Sequence, residues 1–151
     1  MASELQGKTI AILAANGVEQ AELERPRQAV QAAGAVTELL SIKPGETQAV
    51  NQDIHPSVTF TVDRLVGEAS AGDYDALILP GGAVSPDNLR QVEAAVGFVR
   101  DFVNSNVVDQ EVVTDQNITS SRWPDDLPAF CARIVEQFAE PSGPLKEHGK
   151  R

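Results

Sequence analysis

Two short apolar runs, residues 9–14 (TIAILA) and 75–79 (DALIL), constrain this chain more than any other feature. A strand with one wet face alternates apolar and polar residues. An unbroken apolar run must be buried on both faces, as in a parallel sheet covered by helices. Each run ends in turn residues, Asn16-Gly17 after the first and Pro80-Gly81-Gly82 after the second. Between them, residues 19–33 read as a helix that Gly34 stops from its C-terminal side. Pro26 lies inside that helix and must kink or split it. Residues 36–42 read as a further strand, ended by Pro44-Gly45. Residues 58–62 (VTFTV) alternate with period two, the pattern of a half-exposed strand.

After the second run, Ser85-Pro86-Asp87 supplies a capping hydroxyl, a proline at the first helical position and an acid in the first turn. The apolar stripe of the helix they start is Val92, Ala95, Val96, Val99, Phe102 and Val103, at helical spacing. Residues 111–114 and 117–121 flank Asp115-Gln116 as a hairpin. A last helix over 125–139 carries the stripe Leu127, Phe130, Cys131, Ile134, Val135 and Phe138, with Trp123 before it as a hydrophobic staple. Strands alternating with helices predict an α/β fold: an open, mostly parallel sheet with helices on both faces, forming one domain over residues 1–140 with a polar tail at 141–151. Such sheets bind ligands beyond the carboxyl ends of their strands. Here that means the loops 15–19 and 80–83.

Charge and cysteine usage narrow the function. The net charge is −10, which repels phosphate backbones, so nucleic acid is not an expected partner. One cysteine forms neither an internal disulfide nor a zinc cluster, which fits a reducing, cytoplasmic setting. The start, MASELQGKTI, has no basic n-region before an apolar run. No stretch approaches the ~20 apolar residues of a membrane span, so no membrane partner is expected and the sequon-like Asn117-Ile118-Thr119 carries no weight. His55 and His148 lack a ligand partner at helical spacing. No metal and no cofactor is implied.

The candidate chemistry lies in the two loops. Gly81-Gly82, with Ala83, lets backbone amides approach a ligand at a helix start, where an anion or oxyanion can sit; an ordinary strand-to-helix turn uses the same residues. Glu19, at the mouth of the crevice, can orient a nucleophile or act as a base; an acid in a first turn is equally what the helix dipole favours. Cys131 lies on an apolar stripe, where a cysteine is a small, inert hydrophobe. No serine or cysteine occupies a strand-to-helix nucleophile elbow, so no nucleophile is visible.

These segments also carry a family resemblance. GVEQAELERPRQAV from Gly17, YDALILPGGAVSPDNLR from Tyr74 and ITSSRWPDDLPAFCARIVEQF from Ile118 resemble the first loop and kinked helix, the central strand with its glycine pair, and the closing strand and helix of the PfpI family. That family comprises intracellular-protease-like and general stress proteins of the class I glutamine amidotransferase-like superfamily. The resemblance implies a flavodoxin-like fold. It makes Glu19 the match of the acid that hydrogen-bonds the family's catalytic thiol, and Gly81 and Gly82 the match of the pair that helps form its oxyanion site.

One family block is missing. Family members follow the helix that ends here near Asn104 with a buried strand, a turn of the form Ala-x-Cys-His-Gly, a helix and a further strand. Here Asn104-Ser105-Asn106 passes directly into Val107-Val108-Asp109-Gln110-Glu111. Gln116 also stands where the family has glycine in the hairpin turn. Cys131 matches a position where the family often has an unreactive cysteine. The fold is therefore expected to be shortened by the nucleophile strand, its helix and a following strand. Three readings follow. The first is a catalytically inactive, stress-related protein retaining a binding or oligomerisation role, with an edge beside 76–79 that recruits a second copy. The second is a cysteine-independent hydrolase or lyase using Glu19 beside Gly81-Gly82 on a small anionic or carbonyl ligand. The third is a truncated or engineered deletion form of a family hydrolase.

Overall fold

A computed structural model of the protein describes residues 3–102, 113–115, 118–120 and 127–139. The helix end at Val103, the junction at 104–111, the turn residue Gln116, Trp123, His148 and the tail 141–151 lie outside the described residues.

The apolar runs become the centre of a parallel sheet. β1 (Thr9–Leu13) is followed by β2 (Val18–Glu19), α1 (Gln20–Ala32), β3 (Val36–Ser41), β4 (Glu46–Asn51), β5 (His55–Thr61), β6 (Arg64–Leu65) and β7 (Ala76–Ile78). Then come α2 (Val84–Arg90), α3 (Glu93–Phe102), the antiparallel pair β8 (Val113–Asp115) and β9 (Ile118–Ser120), and α4 (Leu127–Ala139). The main sheet runs β6-β3-β1-β7, all parallel. A second sheet, β2-β4-β5, stands beside it.

Burial on both faces is resolved strand by strand. Ile10 and Ile12 of β1, Leu39 of β3 and Ile78 of β7 join one core with Leu23 and Val30 of α1 and Phe130, Ile134 and Phe138 of α4. Ala11 and Leu13, Leu40 and Leu77 join the other, with Leu89 of α2 and Ala95 and Phe98 of α3. Successive residues feed opposite cores because side chains alternate along a strand. This gives helices on both faces of the sheet.

Three local expectations change. α1 runs through Pro26 without a break, and its end is closed by Gly34 N–H on the Gln31 carbonyl and Ala35 N–H on the Val30 carbonyl, each at 3.0 Å, the two bonds of a Schellman cap. Ser85 does not cap a helix; Ala83 stands at the cap position without a side-chain bond. The helix expected to run on from Ser85 is broken at residues 91–92. In one continuous helix Leu89 and Phe98, nine positions apart, would point about 180° away from each other. The break lets both enter the same core.

β7 ends the main sheet, and no strand pairs with its outer edge among the described residues. No described helix is long and apolar enough to cross a membrane.

Candidate functional site

The loops after β1 and β7 meet at the carboxyl end of the sheet and are locked through main chain. Glu19 N–H donates to the Gly81 carbonyl at 3.2 Å, and Gly17 N–H to the Gln48 carbonyl at 2.9 Å. Ala15 N–H donates to the hydroxyl of Ser85 at 2.9 Å, and both residues are buried. Gly82 has φ +110°, and a Cβ there would sit 3.0 Å from the Gly17 carbonyl oxygen and 3.1 Å from Glu19 N. Only glycine holds that backbone so close to another.

Glu19 does not reach into the crevice. Its carboxylate accepts from the amides of Gln52 (2.9 Å) and Asp53 (3.1 Å) at the β4–β5 turn. Those two residues have left-handed backbone, φ 52° and 65°, a conformation that costs side-chain-bearing residues energy and that the carboxylate ties down. The turn in turn presents Asp53, whose Oδ1 accepts the Ala83 amide at 3.1 Å. The amide that sequence reasoning offered to an anion is thus held by the chain's own carboxylate.

The acid facing the glycine pair is Glu22, one helical turn beyond Glu19. A Cβ on Gly81 would press into its carboxylate. Burial, then the negative charges of Glu19 and Asp53, raise its pKa above the usual carboxylate range. This residue escaped sequence analysis. The available signal was its i+3 spacing from Glu19, which puts both acids on one face of the first turn. Gly81 also lines an apolar cavity of 340 Å³ with Leu79, Pro80, Leu89, Val96 and Val99. A half-buried carboxyl of raised pKa against the glycine pair is chemically suited to proton transfer. Among the described residues, no group of three or more His, Cys, Asp or Glu is placed to hold a metal ion.

Cys131 lies on α4, which packs against α1. It is half-buried rather than fully buried; burial pushes its thiol pKa up, and the nearby Arg25 charge opposes that shift. It lines neither the cavity at Gly81 nor a second, polar one beside α2. His55 is exposed at the start of β5.

Comparison with known proteins agrees with this architecture. The model of the DJ-1/PfpI family matches residues 8–108. The chain belongs to the DJ-1/PfpI family. An uncharacterized protein of Staphylococcus haemolyticus is 30% identical to this DJ-1/PfpI chain, over 87% of the chain and 98% of the relative. One from Staphylococcus aureus is 31% identical with the same coverage. Among solved structures, the DJ-1 of Schizosaccharomyces pombe superposes with a TM-score of 0.68 at 18% identity, covering 85% of this chain and 90% of that one. A two-domain protein of Anabaena variabilis with DJ-1/ThiJ/PfpI-like and ferritin-like domains gives a TM-score of 0.72 at 22% identity, over 95% of this chain. The chain spans about half the length of that two-domain protein, 52%.

The relatives also bear on the missing block. The alignment to the S. haemolyticus protein is 173 positions long but takes in only 87% of a 151-residue chain, or about 131 residues. About 42 positions of it therefore have no residue in this DJ-1/PfpI chain. The family match stops at residue 108, at the junction where sequence analysis sets the gap.

Proposed function

We propose that this DJ-1/PfpI protein has lost the family's thiol chemistry and serves, in the cytoplasm and in connection with stress, through binding and self-association. The observation that carries the reading is the position of Cys131, the one cysteine of the chain. It sits on α4 with a raised pKa, while Gly81, Gly82 and Glu22 stand at the sheet's carboxyl end with no thiol to serve. A thiol nucleophile needs a lowered pKa and a place beside its oxyanion donors. Peptidase and glyoxalase-like activities are therefore absent. Self-association is favoured by the outer edge of β7, which pairs with no strand among the described residues although β9 lies near β7, and by the apolar cavity next to it, where Leu79 is 47% exposed. Unpaired strand edges recruit other chains, and apolar surface adds driving force on contact.

Sedimentation over a range of concentrations tests the role. A homodimer or higher oligomer that Leu79→Lys dissociates is expected; a monomer at every concentration refutes it. Assays for peptidase and glyoxalase turnover test the inactivity, and a rate abolished in Cys131→Ala would overturn it.

A second reading is favoured by Glu22. A cysteine-independent hydrolase or lyase acting on a small anionic or carbonyl ligand would draw its base from Glu22 beside Gly81, since Glu19 is bound to the β4–β5 turn. Turnover that survives Cys131→Ala and vanishes in Glu22→Gln would establish it.

A further inference from the structure

A polar cavity of 320 Å³ opens between the β3–β4 turn and α2, on the side of α2 away from Gly81. Its volume is within the range of small-molecule sites, ~300–1,000 Å³. Its floor is made by Asn16 at the end of β1 and Ser41 at the end of β3, the place where open parallel sheets bind ligands.

The hydrogen bonds already made inside the cavity fix what remains for a ligand. Asn16 Oδ1 accepts from Gln48 N at 2.9 Å, so its Nδ2 is left to donate. Ser41, 2% exposed, accepts from Thr47 at 3.3 Å, leaving its own O–H to donate. On the α2 side, Asn88 Nδ2 donates to the Asn16 carbonyl and Gln91 Nε2 to the Asp87 carbonyl, leaving both amide oxygens to accept. The turn contributes Lys43 and Glu46. They are three residues apart, yet neither has an ion-pair partner among the described residues. The cavity thus offers an ammonium, an amide N–H and a buried hydroxyl as donors, and a carboxylate and two amide oxygens as acceptors. Ile42 and Val92 supply an apolar patch, and the lining holds no aromatic ring.

We propose that this cavity binds a small zwitterion, an α-amino acid with a short apolar side chain. The ligand's carboxylate is met by Lys43, Asn16 Nδ2 and the Ser41 hydroxyl. Its ammonium is met by Glu46 with the amide oxygens of Asn88 and Gln91, and its side chain by Ile42 and Val92. Two opposite charges that line one cavity without pairing with each other suit a ligand that carries both. A simple anion would meet Glu46, and a simple amine would meet Lys43, each with an uncompensated like charge.

The test is titration calorimetry of the full chain with L-leucine, alongside isoamylamine, which lacks the carboxylate, and N-acetyl-leucine, which lacks the ammonium. One-to-one binding of L-leucine at concentrations up to ~10 mM is expected, with neither analogue binding. Lys43→Met and Glu46→Gln should each weaken it about tenfold. Both side chains are exposed, so thermal melts of the variants should match that of the parent. Lack of L-leucine binding, equal binding of either analogue, equal binding of glycerol or inorganic phosphate, or affinity unchanged in both variants would each overturn the proposal.

Discussion

Replacing Gly82 by alanine tests the lock between the two loops of the candidate site. The residue has φ +110°, and the new Cβ would stand 3.0 Å from the Gly17 carbonyl oxygen and 3.1 Å from Glu19 N. Both neighbours are main chain, and both belong to a loop tied down by hydrogen bonds from Gly17 to Gln48 and from Glu19 to Gly81. They cannot swing aside as a side chain would. The left-handed backbone costs an alanine about 1–2 kcal/mol, and crowding against fixed atoms adds about 1–3 kcal/mol. Together they predict a loss of roughly 2–5 kcal/mol. At about 2–4 °C per kcal/mol for a domain of this size, the melting temperature should fall by roughly 4–20 °C. Gly97→Ala is the control. Gly97 lies in α3 with nothing within 4 Å of the added Cβ, so that change should be neutral or stabilising by up to about 1 kcal/mol. Urea unfolding followed by circular dichroism measures both. A Gly82→Ala protein within about 0.5 kcal/mol of the parent would show that the loops yield freely and refute the lock.

Other expectations follow from the same geometry. Ser85→Ala should cost about 1–3 kcal/mol in urea unfolding, because it leaves the buried Ala15 N–H without its acceptor. Glu22 has a folded pKa raised above its unfolded one, so its ionisation works against the folded state, and its contribution improves as pH falls through the folded value. Glu22→Gln should therefore melt above the parent at pH 7, with the gap closing toward pH 4, as thermal melts across that range would show. Tyr74 is the chain's one tyrosine; burial and its hydrogen bond to Glu38 hold its phenol above the ordinary value. Its absorbance at 295 nm should titrate later than free tyrosine's, near 10, and stability should fall as pH rises past that point; a midpoint at the free value would sink the assignment. Cys131, with its pKa pushed up by burial, should react with iodoacetamide at pH 7 more slowly in the native chain than in urea.

The fold was legible because its signals are local. Continuous apolar runs at β1 and β7 imply strands buried on both faces, and both ended up between two cores. The stripe on the last helix placed Leu127, Phe130, Ile134 and Phe138 correctly. β2 and β4 went unread, because neither two residues nor the mixed segment ETQAVN carries a period that distinguishes strand from loop. The break between α2 and α3 was hidden for a related reason. The stripe from Val92 onward is truly helical, and only the demand that Leu89 and Phe98 share one core shows that the chain must restart.

The site divides along the same line. The sequence by itself determined that Gly81 and Gly82 follow a buried strand, that Glu19 stands just past the first strand, and that the lone cysteine rides a helix stripe away from any elbow. Tertiary structure alone decided which acid does what. Glu19 and Glu22 are chemically alike and one turn apart, so nothing local separates them. The β4–β5 turn, from more than thirty residues along the chain, takes Glu19 with its amides and gives Asp53 to Ala83. Glu22 is left half-buried against Gly81 with its pKa raised. A carboxylate's role depends on which donors and which charges lie within a few ångströms, and those distances are set by packing between distant segments.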